Sequence, residues 1–416
     1  MPALIVAIPL FDNTMTVKAY KLCDHNTEIA LDIKDDFRGK NQVYYLPGLE
    51  IIQKIGLAPF SGESALFVDT NRFHILTGMY FNKNIPSDKL VLTISASIET
   101  DGKLLAELSA LKDLGYGIAL DGYPQSGGLG NPLIGFADHI LLDFKDKKFD
   151  ERFDEIKRAL PAVQTIVFNV PDMETYVKYS PRKNTLFTGG FYTHPITKTE
   201  EEISPLKANA LELLRQINAE DFDLHDIARI VERDPSLSIS LLRFINSPAV
   251  GLRSKVNSIN NAVALLGQKE IRHWATIAIS VGIFKDKPSE ITKLSLVRAK
   301  FAENLAAMFE MGVFKNSLFL TGLFSLLDVI LKKPMEDAVN EIAVDSLVRE
   351  ALVGKSGSLY RVMDFIYAYE RADWNKATIT LIQNNIKAED VGAAYIDAVV
   401  WFHDLLESID ETEEMA

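Results

Sequence analysis

The chain has 416 residues, 47% of them apolar, and a formal net charge of −13. This length exceeds what one compact core usually holds, so two domains are expected. So acidic a chain argues against a nucleic-acid partner, because phosphate backbones bind to clustered Lys and Arg. The single cysteine, Cys23, excludes an internal disulfide and fits a reducing, cytoplasmic compartment. We also predict no membrane insertion, because every uncharged stretch is shorter than the roughly 18 residues that cross a bilayer.

Short apolar runs alternate with helix-like segments through residues 1–195. Eight candidate strands are expected: Leu4–Ile8, Val43–Leu46, Ala65–Val68, Leu90–Ile94, Gly117–Leu120, His139–Leu142, Thr165–Phe168 and Thr185–Phe187. Strands that alternate with amphipathic segments such as Lys103–Leu114 and Phe149–Leu160 indicate an α/β domain with a TIM-like (β/α)8 barrel. The functional face of such a barrel lies at the carboxyl ends of its strands.

Helical periodicity replaces the strand pattern after residues 196–204, which we interpret as a linker. Apolar residues three and four apart predict five helices: Pro205–Asn218, Leu224–Asp234, Leu237–Asn246, Asn257–Leu266 and Lys269–Phe284. The second domain, residues 205–400, is therefore predicted to be all-α. Residues 401–416 are predicted to form a frayed, acidic C-terminal tail.

Several segments of the first domain carry a resemblance to a known family. They are Ile8–Asp12, Val17–Leu22, Leu114–Asp121, Ala137–Asp143 and Phe187–Tyr192. In this order they resemble the EAL-domain family, which hydrolyses cyclic di-GMP. The resemblance spans about residues 4–196. It implies a barrel in which carboxylates at the strand ends hold two divalent metal ions.

The resemblance also implies that several metal ligands are replaced. The signature Glu falls on Lys21, whose ammonium would repel a metal ion. Other family positions fall on Asp69, Thr93, Gly122, Leu141, Asn169 and Thr188 in place of Asn, Glu, Asp, Lys, Glu and Gln. Asp121 is unchanged, and Glu174 stands at a position where the family role is kept. We therefore expect a degenerate site without catalytic residues, metal or cofactor, in a chain that is not an enzyme.

The second domain resembles the HDOD family, whose fold is related to the HD superfamily of metal phosphohydrolases. The matching runs are Ala228–Leu237, Leu241–Pro248, Val256–Gly267, Ile271–Ala275, Leu296–Glu303 and Phe319–Asp328. The motif residues are Asp234, Pro235, Asn246, Ser247, Trp274, Arg298 and Asp328. Arg298 stands at the first His position of the HD metal site, and of the other ligands at most Asp328 remains, so no metal is expected. We interpret most of these residues as fold-building, with Asp234 as an N-cap and Pro235 at the first helical position.

Three functions stay open at this point. We favour a non-catalytic bacterial signal-transduction protein, a regulatory scaffold that contacts signalling proteins of unknown identity. The first alternative is a cyclic di-GMP receptor without hydrolysis, although the family's arginine-bearing start reads Ala7-Ile8. The second is an active metal-dependent phosphodiesterase that uses Asp69, Asp121, Asp143 and Glu174. Asp69 and Asp121 could also hold a single cation.

Overall fold

The structure is a computed structural model. It describes residues 4–25, 47–77, 86–194, 212–217, 222–233, 235–246, 256–284, 289–342 and 344–413. The described residues form two compact units. The first unit draws on residues 1–192 and 364–416, and the second on residues 193–363.

Eight strands of the first unit close into a barrel in chain order. They are β1 (Ile5–Phe11), β2 (Val17–Asp24), β3 (Ala65–Asp69), β4 (Leu90–Ser95), β5 (Gly117–Asp121), β6 (His139–Asp143), β7 (Gln164–Val170) and β8 (Thr185–Gly189). Strand β1 runs antiparallel to β2 and β8. All other neighbouring strands are parallel. The predicted barrel is confirmed, and its parallel strands present their carboxyl ends at one mouth.

The second strand lies earlier in the chain than the apolar pattern indicated. The run Val43–Leu46, predicted as a strand, lies outside the described residues, and β2 is Val17–Asp24. Charged residues at positions 18, 21 and 24 interrupt the apolar pattern of β2, which explains why that pattern did not predict it. Lys21 is nevertheless only 7% exposed, so a charged side chain is buried within a barrel strand.

Short helices connect the barrel strands. They are α1 (Pro47–Ile55), α2 (Ala58–Ser61), α3 (Arg72–Thr77), α4 (Gly102–Asp113), α5 (Phe149–Ala159) and α6 (Met173–Tyr179). The Asp101 carboxylate caps α4 by accepting a hydrogen bond from the Leu104 amide at 2.8 Å. Helix α4 then buries Leu104, Leu108 and Leu111, whose spacing of four and three residues is that of an amphipathic helix. Both α4 and α5 were predicted to within one residue at either end.

The second unit is helical throughout its described residues, as predicted. Beyond a helical stretch at 212–217, its helices are α7 (Leu224–Glu232), α8 (Pro235–Asn246), α9 (Ile259–Phe284), α10 (Ser289–Leu305), α11 (Lys315–Phe324), α12 (Leu327–Leu331), α13 (Met335–Ile342) and α14 (Ser346–Leu352). Helix α9 is interrupted at Gly267, where φ is +70°. The break falls between the two helices predicted for this stretch. No helix of the described residues is long and apolar enough to span a membrane.

Three helices follow: α15 (Gly357–Glu370), α16 (Trp374–Gln383) and α17 (Ala388–Glu413). From Asp364 onward these residues belong to the compact unit of the barrel. The predicted limits of 205–400 and 401–416 therefore differ from the compact units. Residues 401–413, predicted as a frayed tail, instead continue α17. Phe402 is only 5% exposed, and such burial keeps this part of the helix folded.

Tyr369 links the C-terminal helices to the first barrel strand. Its ring is fully buried, and its hydroxyl donates to the Ile5 carbonyl oxygen at 2.8 Å. The Tyr369 hydroxyl oxygen also accepts a hydrogen bond from the Ile5 amide at 3.0 Å. A second contact joins the Ala7 amide to the Tyr395 hydroxyl oxygen at 3.4 Å. One phenol thus satisfies both backbone groups of a buried strand residue.

We expect Tyr369→Phe to lower the free energy of unfolding by about 1–3 kcal/mol, because two buried backbone groups lose a hydrogen-bond partner. Urea denaturation followed by circular dichroism measures this loss. Tyr360→Phe is the matched control, because Tyr360 lies on the same helix but is partly exposed. Its effect should stay within about 0.5 kcal/mol. Equal stability of the two variants would contradict the role given to the Tyr369 hydroxyl.

Candidate functional site at the barrel mouth

One residue from each strand fills the centre of the barrel. These residues are Leu10, Ala19, Phe67, Val91, Ala119, Leu141, Ile166 and Leu186. Successive side chains of a strand point to opposite faces, so the residue two positions nearer the mouth points inward again. We call this next inward layer the mouth ring, and it consists of Ile8, Lys21, Asp69, Thr93, Asp121, Asp143, Phe168 and Thr188. The core register thus brings five of the site residues predicted from the sequence to one end of the barrel: Lys21, Asp69, Thr93, Asp121 and Thr188.

Lys21 and Asp69 form an ion pair inside the mouth ring. The Lys21 Nζ donates a hydrogen bond to Asp69 Oδ1, and the two side chains are only 9% and 19% exposed. Burial disfavours the charged ammonium, but attraction by Asp69, and then by Cys23 and Asp121, raises the pKa of Lys21 above its ordinary value. Lys21 is therefore protonated at neutral pH and supplies a fixed positive charge to the mouth.

Two further carboxylates lie in the same layer. Desolvation raises the pKa of Asp121, the Lys21 ammonium opposes this rise, and the charges of Asp69 and Asp143 add to it. Asp143 Oδ1 accepts a hydrogen bond from Asn169 Nδ2 at 2.9 Å. Asn169 follows Phe168 on β7 and adopts a left-handed φ of +58°. Asp121 is thus a stronger base than an ordinary aspartate. The Asp143 carboxylate, in contrast, accepts a hydrogen bond from the Asn169 side-chain amide.

Two buried hydroxyl groups complete the polar part of the mouth ring. Thr93 and Thr188 are each 2% exposed. Neither Oγ1 atom has a hydrogen-bond partner among the described residues. A buried hydroxyl without a partner costs about 1–3 kcal/mol, so such atoms mark positions where a ligand or water completes the bonding. The mouth is therefore suited to a polar ligand.

The other residues predicted for this site lie elsewhere. Leu141 belongs to the core layer and is 2% exposed, below the level of the carboxylates. Gly122 follows β5 with a φ of +91°, and its amide donates to the Leu141 carbonyl oxygen at 3.0 Å. Glu174 lies in the first turn of α6 with an exposed side chain. Leu141 and Gly122 thus contribute packing and a turn.

His139 is an interior residue that sequence reasoning missed. It shares the inward face of β6 with Leu141 and Asp143, and its ring centroid lies 4.8 Å from that of Phe67. Desolvation lowers the pKa of His139, which favours the neutral imidazole. The period of two along His139, Leu141 and Asp143 was the signal that could have placed it inside the barrel.

The EAL resemblance implies two divalent metal ions at the mouth. Within the part of the chain that the structure describes, no group of three or more His, Cys, Asp or Glu side chains could hold a metal ion. The Lys21 ammonium also binds the Asp69 carboxylate, which the resemblance places at a metal-ligand position. The residues present therefore do not fit a two-metal centre.

A separate polar cavity of about 220 Å³ lies between the loop that follows β5 and helix α5. Its walls include Tyr123, whose hydroxyl donates to Glu155 Oε2 at 2.7 Å. The Arg152 guanidinium lies 5.2 Å from the Tyr123 ring centroid and also pairs with Asp146. These charged groups already bind one another, and the volume is below the roughly 300–1,000 Å³ of ligand pockets. The mouth ring remains the stronger candidate site.

In the second unit, Asn246 fastens the end of α8 to the chain before α9. Its Nδ2 donates to the carbonyl oxygens of Leu242 at 2.6 Å and Val256 at 2.7 Å. Its Oδ1 accepts from the Val256 amide at 2.8 Å. Helix α8 begins at Pro235, in agreement with the sequence interpretation. Asp234 and Ser247 lie outside the described residues.

Arg298 is a buried charge at the contact between α10 and α11. It is 4% exposed, and its Nη1 donates to Ser325 Oγ at 2.6 Å. Ser325 Oγ donates in turn to the Gly322 carbonyl oxygen at 2.6 Å. Burial raises the pKa of Asp328. Trp274 is 4% exposed, and its indole nitrogen has no hydrogen-bond partner among the described residues. Arg298 and Asn246 thus support helix packing.

Comparisons with known proteins find a family match in the helical part and relatives that align with most of the chain. Residues 203–352 match the family described as HDOD domain. The uncharacterized protein YuxH of Bacillus subtilis (strain 168) is 27% identical over 427 residues, covering 98% of this chain and all of that protein. The cyclic di-GMP phosphodiesterase CdgJ of Vibrio cholerae is 26% identical over 324 residues, covering 77% of this chain and 75% of that protein. The solved structure of the EAL enzyme Bd1971 with cAMP and cyclic di-GMP is 12% identical, with a TM-score of 0.34, covering 44% of this chain and 60% of that chain.

These findings correct one expectation from the sequence. The expectation that the chain is not an enzyme is wrong, because a relative that aligns with 77% of it is a cyclic di-GMP phosphodiesterase. The replacements at individual ligand positions, from Lys21 to Thr188, stay predictions. The candidate catalytic groups are therefore the polar side chains of the mouth ring.

Proposed function

We propose that this chain, an EAL–HDOD protein, hydrolyses cyclic di-GMP at the mouth ring and conveys the response to signalling proteins through its HDOD domain. The mouth ring carries the proposal, since it gathers a protonated lysine, three carboxylates and two buried hydroxyls that have no partner among the described residues. These groups lie at the strand carboxyl ends, where barrels of this kind bind their substrates. The name of the relative CdgJ supplies the substrate.

The mouth ring offers one ammonium and two hydroxyl groups as hydrogen-bond donors to a phosphodiester. The Lys21 ammonium attracts the phosphoryl oxygens and stabilises the negative charge that develops on them. The Thr93 and Thr188 hydroxyls donate hydrogen bonds to the same anion. Asp121 accepts a proton from the attacking water, because its raised pKa suits a general base. As the water oxygen bonds to phosphorus, one ester P–O bond breaks and the leaving ribose oxygen takes up a proton from solvent. No step involves a metal ion, since the described residues do not gather a ligand set for one.

The HDOD part of the proposal rests on packing. Arg298 and Asn246 are engaged in hydrogen bonds that join helices. The described residues of this unit include no candidate metal cluster. A helical domain whose motif residues hold its own fold acts by surface contact, so we propose protein partners for it.

Calorimetric titration of the full chain with cyclic di-GMP, followed by chromatography of the recovered nucleotide, tests the barrel function. We expect saturable heat and release of the linear dinucleotide. Heat without cleavage would refute hydrolysis and leave a cyclic di-GMP receptor. No heat under any condition would overturn the assignment of cyclic di-GMP to this barrel.

Asp121→Asn is expected to slow cleavage by about 100-fold, within the range that a general base contributes. The basic form of Asp121 exists above its pKa, which desolvation raises. The wild-type rate should therefore rise with pH as this carboxyl ionises and then level off, and the variant should lose this rise. Pre-steady-state cleavage rates across acidic pH measure both effects. Asp113→Asn, at the exposed end of α4, is the control and should keep the wild-type profile.

A further inference from the structure

The mouth ring contains a positive charge where the EAL resemblance calls for divalent metal ions. We infer that the Lys21 ammonium is the built-in cation of this site, and that the mouth recognises a phosphodiester anion without any divalent metal ion. The inference rests on the proposed function, because it concerns how the same site binds its nucleotide. It assigns to Lys21 the task of neutralising Asp69 and of supplying the positive charge that the resemblance would give to a metal ion.

The position of the ammonium supports this assignment. Lys21 points inward because it stands two residues after Ala19, a member of the central core layer. Its Nζ is held by Asp69, and the charge of Asp121 also acts on it. A divalent ion bound by these two carboxylates would lie against the ammonium and be repelled by it. The lysine and a metal ion therefore compete for the same place.

If the Lys21–Asp69 ion pair served stability alone, the other polar groups of the mouth ring would have no explanation. Asp69 pairs with the ammonium and the charge of Asp121 also acts on it, so the pair is part of a larger charged site. The hydroxyls of Thr93 and Thr188 are buried in this layer without a partner among the described residues. Hydroxyl and ammonium groups are both donors from which a phosphate oxygen accepts hydrogen bonds. The ring thus holds donors that the Lys21–Asp69 pair does not use.

The wild-type chain provides the first test. Cyclic di-GMP is titrated calorimetrically once in EDTA and once in Mn²⁺, and the two dissociation constants are compared. We expect them to agree within about threefold, since Lys21 replaces the metal charge. Binding in Mn²⁺ alone would overturn the inference and leave the proposed function standing. Failure to bind in both buffers would overturn the proposed function itself.

Substitutions of Lys21 provide the second test. In EDTA, Lys21→Met should bind cyclic di-GMP at least about tenfold more weakly, whereas Lys21→Arg, which keeps the charge, should stay close to wild type. Lys18→Met is the matched control, because Lys18 lies on the same strand with a side chain that is 53% exposed. Wild-type affinity in Lys21→Met would overturn the inference.

Direct metal binding gives a readout that is independent of the nucleotide. Electron paramagnetic resonance of free Mn²⁺ should show no uptake at the mouth of the wild-type chain and measurable uptake by Lys21→Ala, in which the carboxylates lose their ammonium. Stronger Mn²⁺ uptake by the wild-type chain than by Lys21→Ala would contradict the inference. If Lys21→Ala fails to fold by circular dichroism, the wild-type titration and Lys21→Arg still decide the question.

Discussion

Gly322→Ala is expected to destabilise the helical unit by about 3–5 kcal/mol, although alanine ordinarily favours a helix. Gly322 lies in α11 where this helix crosses α10. A Cβ atom built on it would lie 2.7 Å from Ala299 Cα, 2.8 Å from Ala299 N and 2.8 Å from the Arg298 carbonyl oxygen. These are backbone atoms, so no side-chain rotation relieves the overlap, and the two helices must separate.

Urea denaturation measures this loss of stability, and hydrogen exchange with mass spectrometry locates it. Exchange should increase in α10 and α11 of the variant. Gly312→Ala is the matched control, because a Cβ atom at Gly312 meets nothing within 4 Å. The double variant Gly322→Ala with Ala299→Gly should stay destabilised, since the overlap involves backbone. Recovery of stability in the double variant would show that the backbones of α10 and α11 do not approach this closely at Gly322.

The barrel could be predicted from the sequence because most of its strands are continuous apolar runs. A strand buried on both faces reads as Val, Ile and Leu, as in Leu90–Ile94. Strand β2 did not follow this rule, because the site places Lys21 inside it. Lys21, which carries most of the proposed chemistry, thus interrupts the apolar pattern from which β2 would have been predicted. Residues 357–400 lie in the segment predicted to be all-α, but their place in the compact unit of the barrel was not predicted, since periodicity does not say what an apolar face packs against.

The site could be predicted in part. Motif resemblance pointed to Lys21, Asp69, Thr93 and Asp121, and the strand register brings all of them inward. It also pointed to Leu141, whose side chain instead belongs to the central core layer of the barrel. The hydrogen bond between Asn169 and Asp143 needs the left-handed backbone at Asn169, which no residue pattern in this chain indicates. The charge state of Lys21 depends on burial and on Asp69, two facts that exist only in the folded barrel.

Gly189→Ala is expected to cost about 3–5 kcal/mol of stability and to disturb the mouth as well. Gly189 ends β8 directly after Thr188, and its φ is +151°. A Cβ atom there would lie 2.2 Å from the Val170 carbonyl oxygen and 2.5 Å from the Val170 nitrogen. Strands β7 and β8 would have to part at their carboxyl ends, which would move the Thr188 hydroxyl.

The measurement for Gly189→Ala combines thermal unfolding with cyclic di-GMP titration. Gly62→Ala is the control, because Gly62 also has a positive φ, +55°, but a Cβ atom there meets nothing within 4 Å. The control should lose only about 1–3 kcal/mol, the cost of a sparsely populated backbone conformation (φ +55°, ψ −127°) without a steric overlap. The difference between the two variants then isolates the steric overlap with Val170. Equal stability and equal nucleotide affinity of the two variants would contradict the close approach of β7 and β8 at Gly189. The mouth ring would then lack the shape on which the nucleotide site depends.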